Sequence, residues 1–128
     1  MKPLLLRAVI SVAVLACFAA CDVDVFGLQH KKIAKGYTLY ADNTEHGFAV
    51  FEPRAPGGPG IAQIGWRKPY IVADVRDGQR HWQVFDTSTR SSRFLSDSEL
   101  RADSRLRDIP IISAEAAWAR LSHFTSQW

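Results

Sequence analysis

The side chains best suited to proton transfer or metal ligation near neutral pH are four histidines, His30, His46, His81 and His123. They are scattered along the chain. No HxH or HExxH pair sets two rings on one face of a strand or helix, so the spacing gives no metal site and no cofactor is expected. The carboxylates Glu45, Glu52, Asp74 and Asp86 lie in or beside strand-like segments. A glycosidase needs two carboxylates about 5–9 Å apart in a cleft, and Asp74, Asp77 and Asp86 read more simply as punctuation of a hairpin. Ser88, Ser91, Ser92, Ser96, Ser98, Ser104 and Ser113 occupy turns and caps, and none sits in a GxSxG elbow. Gly58-Pro59-Gly60 is followed by β-like residues and by no Lys-Ser/Thr pair, so it reads as a rigid exposed loop rather than a phosphate cradle. No catalytic residue is assigned, and the balance leans away from an enzyme.

The two cysteines, Cys17 and Cys21, stand together at the end of an apolar N-terminus. Lys2 and Arg7 precede a run, residues 8–18, that is apolar apart from Ser11. Eleven residues are too few to span a hydrocarbon core, which takes about 20. They match the apolar region of an export signal, with Ala19-Ala20 as the small residues before a cut. Phe18-Ala19-Ala20-Cys21 resembles the lipobox of bacterial lipoproteins, in which a small residue precedes the cysteine that is acylated and becomes the first residue. Phe18 stands where Leu is usual. Val14-Leu15-Ala16-Cys17 is a rival box, but it places bulky Leu15 where a small residue is commoner, and cutting there would shorten the apolar run. An ordinary signal peptide, or a buried hydrophobic helix with incidental cysteines, is the alternative.

The resemblance implies that Cys17 is discarded, that Cys21 carries palmitate-type chains, and that the mature domain has no thiol for a disulfide or a nucleophile. Several acyl chains hold a protein stably on a bilayer, at about 0.8 kcal/mol per buried methylene. The implied location is the cell membrane, facing the periplasm. Asp22 resembles the signal that keeps enteric lipoproteins in the inner membrane, which favours the inner over the outer membrane.

Removing residues 1–20 takes away Lys2 and Arg7, so Lys+Arg falls from 16 to 14 against 13 acidic residues and the net charge falls from +3 to +1. A nucleic-acid partner loses its compositional support. The expected organisation is a signal peptide over 1–20, a lipidated cysteine and tether over 21–35, and one small domain over 36–128. Lys31, Lys32 and Lys35 in the tether read as a solvated charge run, with contact to anionic lipid as the alternative.

The body reads as strands followed by helices. Tyr37–Ala41 and Phe48–Glu52 are aromatic and β-branched and are joined by a polar turn. Residues 61–66 and 70–75 follow the Pro/Gly loop, and Tyr70–Ala73 is apolar on both faces, as expected of a central strand. Asp77-Gly78 predicts a two-residue hairpin turn into His81–Asp86, and Arg93–Leu95 a short edge strand. Ser96 and Glu99 form a capping box, with Leu95 placed to staple onto Leu100. A second helix is expected from Ser113 to about His123, with Ala114, Ala117, Trp118, Leu121 and Phe124 on one stripe. The expected fold is α+β: an antiparallel meander of about five strands, then two short helices, with a small β-barrel as the alternative. The order GYTLY, IGWRKPYIVA, WQVFD over residues 36–86 is similar to small uncharacterised bacterial envelope lipoproteins, which implies a sheet and no activity.

The contact surface is sought among Trp66, Tyr70 and Trp82, which would form a stacking patch if they faced outward together, and among Arg101, Arg105 and Arg107. The first functional expectation is a non-enzymatic, lipid-anchored module that binds an envelope protein or glycan. A small envelope hydrolase and a cell-surface inhibitor or immunity protein are the alternatives.

Overall fold

The computed structural model describes residues 28–41, 47–53, 58–76 and 80–128. The segment read as an export signal, Cys21, Asp22, His46 and the expected Asp77-Gly78 turn lie outside the described residues. Seven strands run in a meander in which each pairs antiparallel with the next: β1 (His30–Ala34), β2 (Tyr37–Ala41), β3 (Phe48–Phe51), β4 (Gly60–Arg67), β5 (Tyr70–Arg76), β6 (Arg80–Asp86) and β7 (Ser91–Ser96). Helix α1 (Asp97–Ala102), the short strand β8 (Ile112–Ser113) and helix α2 (Ala114–Arg120) complete the chain. The sheet is open, not closed into a barrel. β4 pairs with β5 along one edge. On its other edge it pairs first with β3 at Gly60 and Ile61, then with β8 at Gln63 and Ile64.

Strand parity decides what each face carries. Ile71 and Ala73 of β5 and Phe85 of β6 point to one face, where Ile33, Leu39 and Val50 of the first three strands and Ala114, Ala117 and Leu121 of α2 cover them. Strands β1–β3 therefore curl over the sheet, and the ring of Tyr37 meets that of Phe85 edge-on at 6.1 Å. Val72 and Val84 point to the other face, beneath Leu95, Leu100, Leu106 and Ile109. β5 is thus the doubly covered central strand expected from its apolar run. Each aliphatic side chain so buried contributes about 1.5–3 kcal/mol.

The covering segment lies very close to the sheet because position 65 is glycine. A Cβ there would collide with the Pro110 carbonyl oxygen and come within 2.7 Å of Ile111 Cδ1. Ser96 caps α1 through the expected capping box, and Leu95 and Leu100 share one cluster, as a staple requires.

Three expectations are corrected. The meander has seven strands, not about five, and β8 adds another. The tether does not extend to residue 35: His30–Ala34 is a sheet strand with Ile33 and Ala34 fully buried, so the domain begins before residue 36. A register irregularity between Lys32 and Ala34 turns both apolar residues inward and hides the alternation. The β5–β6 register runs as far as Arg76 and Arg80. Finally, α2 stops at Arg120. Leu121 is extended, at φ −79° and ψ 159°, because the chain leaves the helix to pair Ser122 with Lys32. Phe124 consequently leaves the helical stripe and is 82% exposed.

Candidate functional site

The same parity separates the aromatic residues. Trp66 pairs with Ile71 and joins the α2-covered face, whereas Trp82 pairs with Asp74 and Leu95 on the opposite face. The expected Trp66–Trp82 stacking patch does not form. Tyr70 lies on the Trp82 face but at the other end of β5. The segment covering this face leaves a groove at each end.

The first groove, of about 540 Å³, is lined by Ala62, Gln63, Asp74, Trp82, Asp97, Ser113 and Glu115. The Trp82 indole N–H donates to Asp97 Oδ1 at 2.6 Å, and Asp97 opens the first turn of α1. Among the described residues, three carboxylates and no cationic side chain line this groove. Among the described residues, no set of His, Cys, Asp and Glu is placed to hold a metal ion.

The second groove, of about 350 Å³, is lined by Tyr70, Val84, Asp86, Thr89, Ser91, Ser92, Arg93 and Arg105. Asp86 Oδ1 accepts from the Ser88 hydroxyl at 2.6 Å and from the Ser88 and Thr89 amides, and these bonds hold its carboxyl below the usual range. This bonding fixes the turn Thr87–Arg90, where Arg90 takes φ 57°. Asp103 accepts from the guanidiniums of Arg105 and Arg93, each 3.1 Å from Oδ2. Arg105, through its guanidinium and its own amide, accounts for most of the fall of the Asp103 carboxyl to about 2. Arg105 also lies over the Tyr70 ring, 5.6 Å from its centroid, and donates to the phenol oxygen at 3.3 Å.

The structure therefore joins Tyr70 to Arg105 and leaves Arg101 and Arg107 exposed on the same covering segment. It sends Trp66 to a separate shallow pocket with Pro110, Ile112, Arg120 and Gln127. Arg93, Asp97 and Asp103 were not singled out from sequence as site residues. Arg93 was read there as part of a short edge strand. Two arginines held by one aspartate make this end nearly neutral and rich in directional donors, not strongly basic. Hydroxyls of Tyr70, Thr89, Ser91 and Ser92 add to the donors and acceptors. His81 packs edge-on against Phe94 at 5.0 Å, and His30 bonds Thr38 Oγ1 at 2.9 Å, which leaves these two rings in separate places.

No known family, curated protein or solved structure matches this chain.

Proposed function

We propose that this chain is a lipid-anchored protein of the bacterial cell envelope. Its small sheet domain would act as a non-enzymatic binding module held at the membrane by Cys21. The observation that carries this reading is the succession of elements in the N-terminal sequence: Lys2 and Arg7, the apolar run 8–18, then Phe18-Ala19-Ala20-Cys21. It is supported by the described apolar core, which draws on residues from Ile33 onward. Among the described residues, no helix is long and apolar enough to cross a membrane. The proposed contact is the Tyr70–Arg105 groove, with Arg101 and Arg107 beside it. Its forked guanidiniums and clustered hydroxyls suit a hydroxyl-rich or carboxylated envelope partner, glycan or protein.

Metabolic labelling with an alkyne palmitate tests the anchor. Label is expected in wild type and in Cys17→Ala, and is expected to vanish in Cys21→Ala. Label that survives Cys21→Ala would refute the anchor. An NMR titration with a polygalacturonate oligomer tests the contact. Shifts are expected at Tyr70, Ser91 and Arg105 and are expected to be lost in Arg105→Ala; shifts confined to other faces would refute it.

A further inference from the structure

The three large apolar side chains most exposed among the described residues are Phe124 at 82%, Leu28 at 58% and Phe94 at 57%. Two of them belong to one place. His123 Nδ1 donates to the His30 carbonyl at 2.8 Å, Leu28 lies two residues before that bond, and Phe124 one residue after it. The strand β1 and the C-terminal segment are tied together along this edge. The Lys32 amide donates to the Ser122 carbonyl at 2.7 Å, and the Gln127 amide to the Ile33 carbonyl at 2.8 Å.

The charge of this edge is one-sided. Residues 28–35 and 121–128 contain Lys31, Lys32 and Lys35 and no Asp or Glu. Lys31 is engaged with the end of α2: its ammonium donates to the Trp118 carbonyl at 2.7 Å and sits 4.6 Å from that ring's centroid. Lys32 and Lys35 are exposed. Exposed apolar side chains beside exposed lysines, with an indole close behind, form the composition that partitions into the headgroup layer of an anionic bilayer.

Chain length gives the orientation. Only residues 22–27 separate Cys21 from Leu28. Even fully extended, that connection reaches about 25 Å. An anchor on Cys21 therefore holds this edge, rather than the α1 face, near the lipid surface.

We propose that the edge formed by β1 and residues 121–128 is the membrane-facing surface of the domain. Phe124 and Leu28 enter the interfacial layer of an anionic bilayer, and Lys32 and Lys35 lie against its headgroups. The α1 side, with Tyr70 and Arg105, then faces away from the membrane, where a partner can reach it. This inference rests on the lipid-anchor reading.

The test uses the full chain as cells process it, extracted in detergent and returned to vesicles of phosphatidylethanolamine and phosphatidylglycerol. Intact mass is measured first. An environment-sensitive fluorophore is placed at Phe124→Cys and, as a control on the opposite face of the sheet, at Arg101→Cys. Doxyl lipids are expected to quench the label at 124 and to leave the label at 101 unaffected. Lys32→Gln and Lys35→Gln are each expected to lower the ratio of lipid-facing to water-facing label at 124 about fivefold. An acylated protein whose label at 124 stays in water, or is quenched no more than that at 101, overturns the orientation and leaves the anchor standing. A label at 124 protected only in native membranes assigns the edge to a protein partner and also overturns it. A protein without acyl chains removes both readings.

Discussion

Gly65→Ala tests how closely the covering segment lies on the sheet. In most strands this change helps by roughly 0.5–1 kcal/mol, because alanine loses less backbone freedom on folding. Gly65 does not use the left-handed region, so alanine is free of backbone strain there. Space decides the sign instead. The added methyl would meet the Pro110 carbonyl oxygen, Ile111 Cδ1 at 2.7 Å and Ile109 Cγ2 at 3.0 Å. The two isoleucine methyls can rotate away, but the carbonyl belongs to the backbone and can yield only if the whole segment 109–111 lifts from the sheet. Overpacking of this kind costs about 1–3 kcal/mol, which lowers the melting temperature of a domain this size by roughly 5–20 °C. Thermal and urea denaturation followed by circular dichroism reads the effect. Adding Ile111→Val should restore only a small part of the loss, because the carbonyl remains. Gly47→Ala is the contrasting variant: nothing lies within 4 Å of its added methyl, and its cost, about 1 kcal/mol, comes from φ +80° alone. A Gly65→Ala protein as stable as wild type, or full rescue by Ile111→Val, would refute the reasoning.

The pH limits of stability have two separate sources. The Arg105 guanidinium and amide hold the Asp103 carboxyl at about 2 when folded, below the ordinary carboxylate range, so its contribution is present above pH 4 and lost as pH falls through 2; Asp103→Asn should flatten that acid limb in urea titrations. Burial, reinforced by Glu52, raises the Tyr37 phenol above 10.0, so stability should fall as pH rises past 10, when only the unfolded chain loses the proton; Tyr37→Phe should remove this alkaline loss. Asp97→Ala removes the acceptor of the Trp82 indole and a first-turn acid, and should cost about 1–3 kcal/mol in urea denaturation, with a changed indole emission. Deleting residues 122–128 opens the edge of β1 and removes the Trp128 ring that packs on the core; a loss of roughly 2–4 kcal/mol and concentration-dependent association are expected by light scattering.

The central sheet was legible in sequence because its signals are local. Tyr70–Ala73 is apolar on both faces, and a strand buried on both sides has that pattern. The Ser96–Glu99 capping box fixed the start of α1 within one turn of chain. β1 was not legible, since a lysine-rich edge strand looks like a solvated run and its irregular register hides the alternation of Ile33 and Ala34. The end of α2 was set by a partner distant in sequence, Lys32, and no feature within residues 113–124 announces it. The grooves depend on the same long-range geometry. Trp66 and Trp82 are alike as residues, but they belong to strands whose registers turn them to opposite faces. Tyr70 and Arg105, 35 positions apart, meet because the covering segment returns across the sheet, where it lies close against Gly65.

The account rests on the anchor, and intact mass of the detergent-extracted protein tests it most directly, with Cys21→Ala measured alongside. The wild-type mass should equal residues 21–128 plus acyl chains, and the variant should lack that species. An unmodified wild-type mass, or a mature N-terminus other than Cys21, would contradict the lipid-anchored reading.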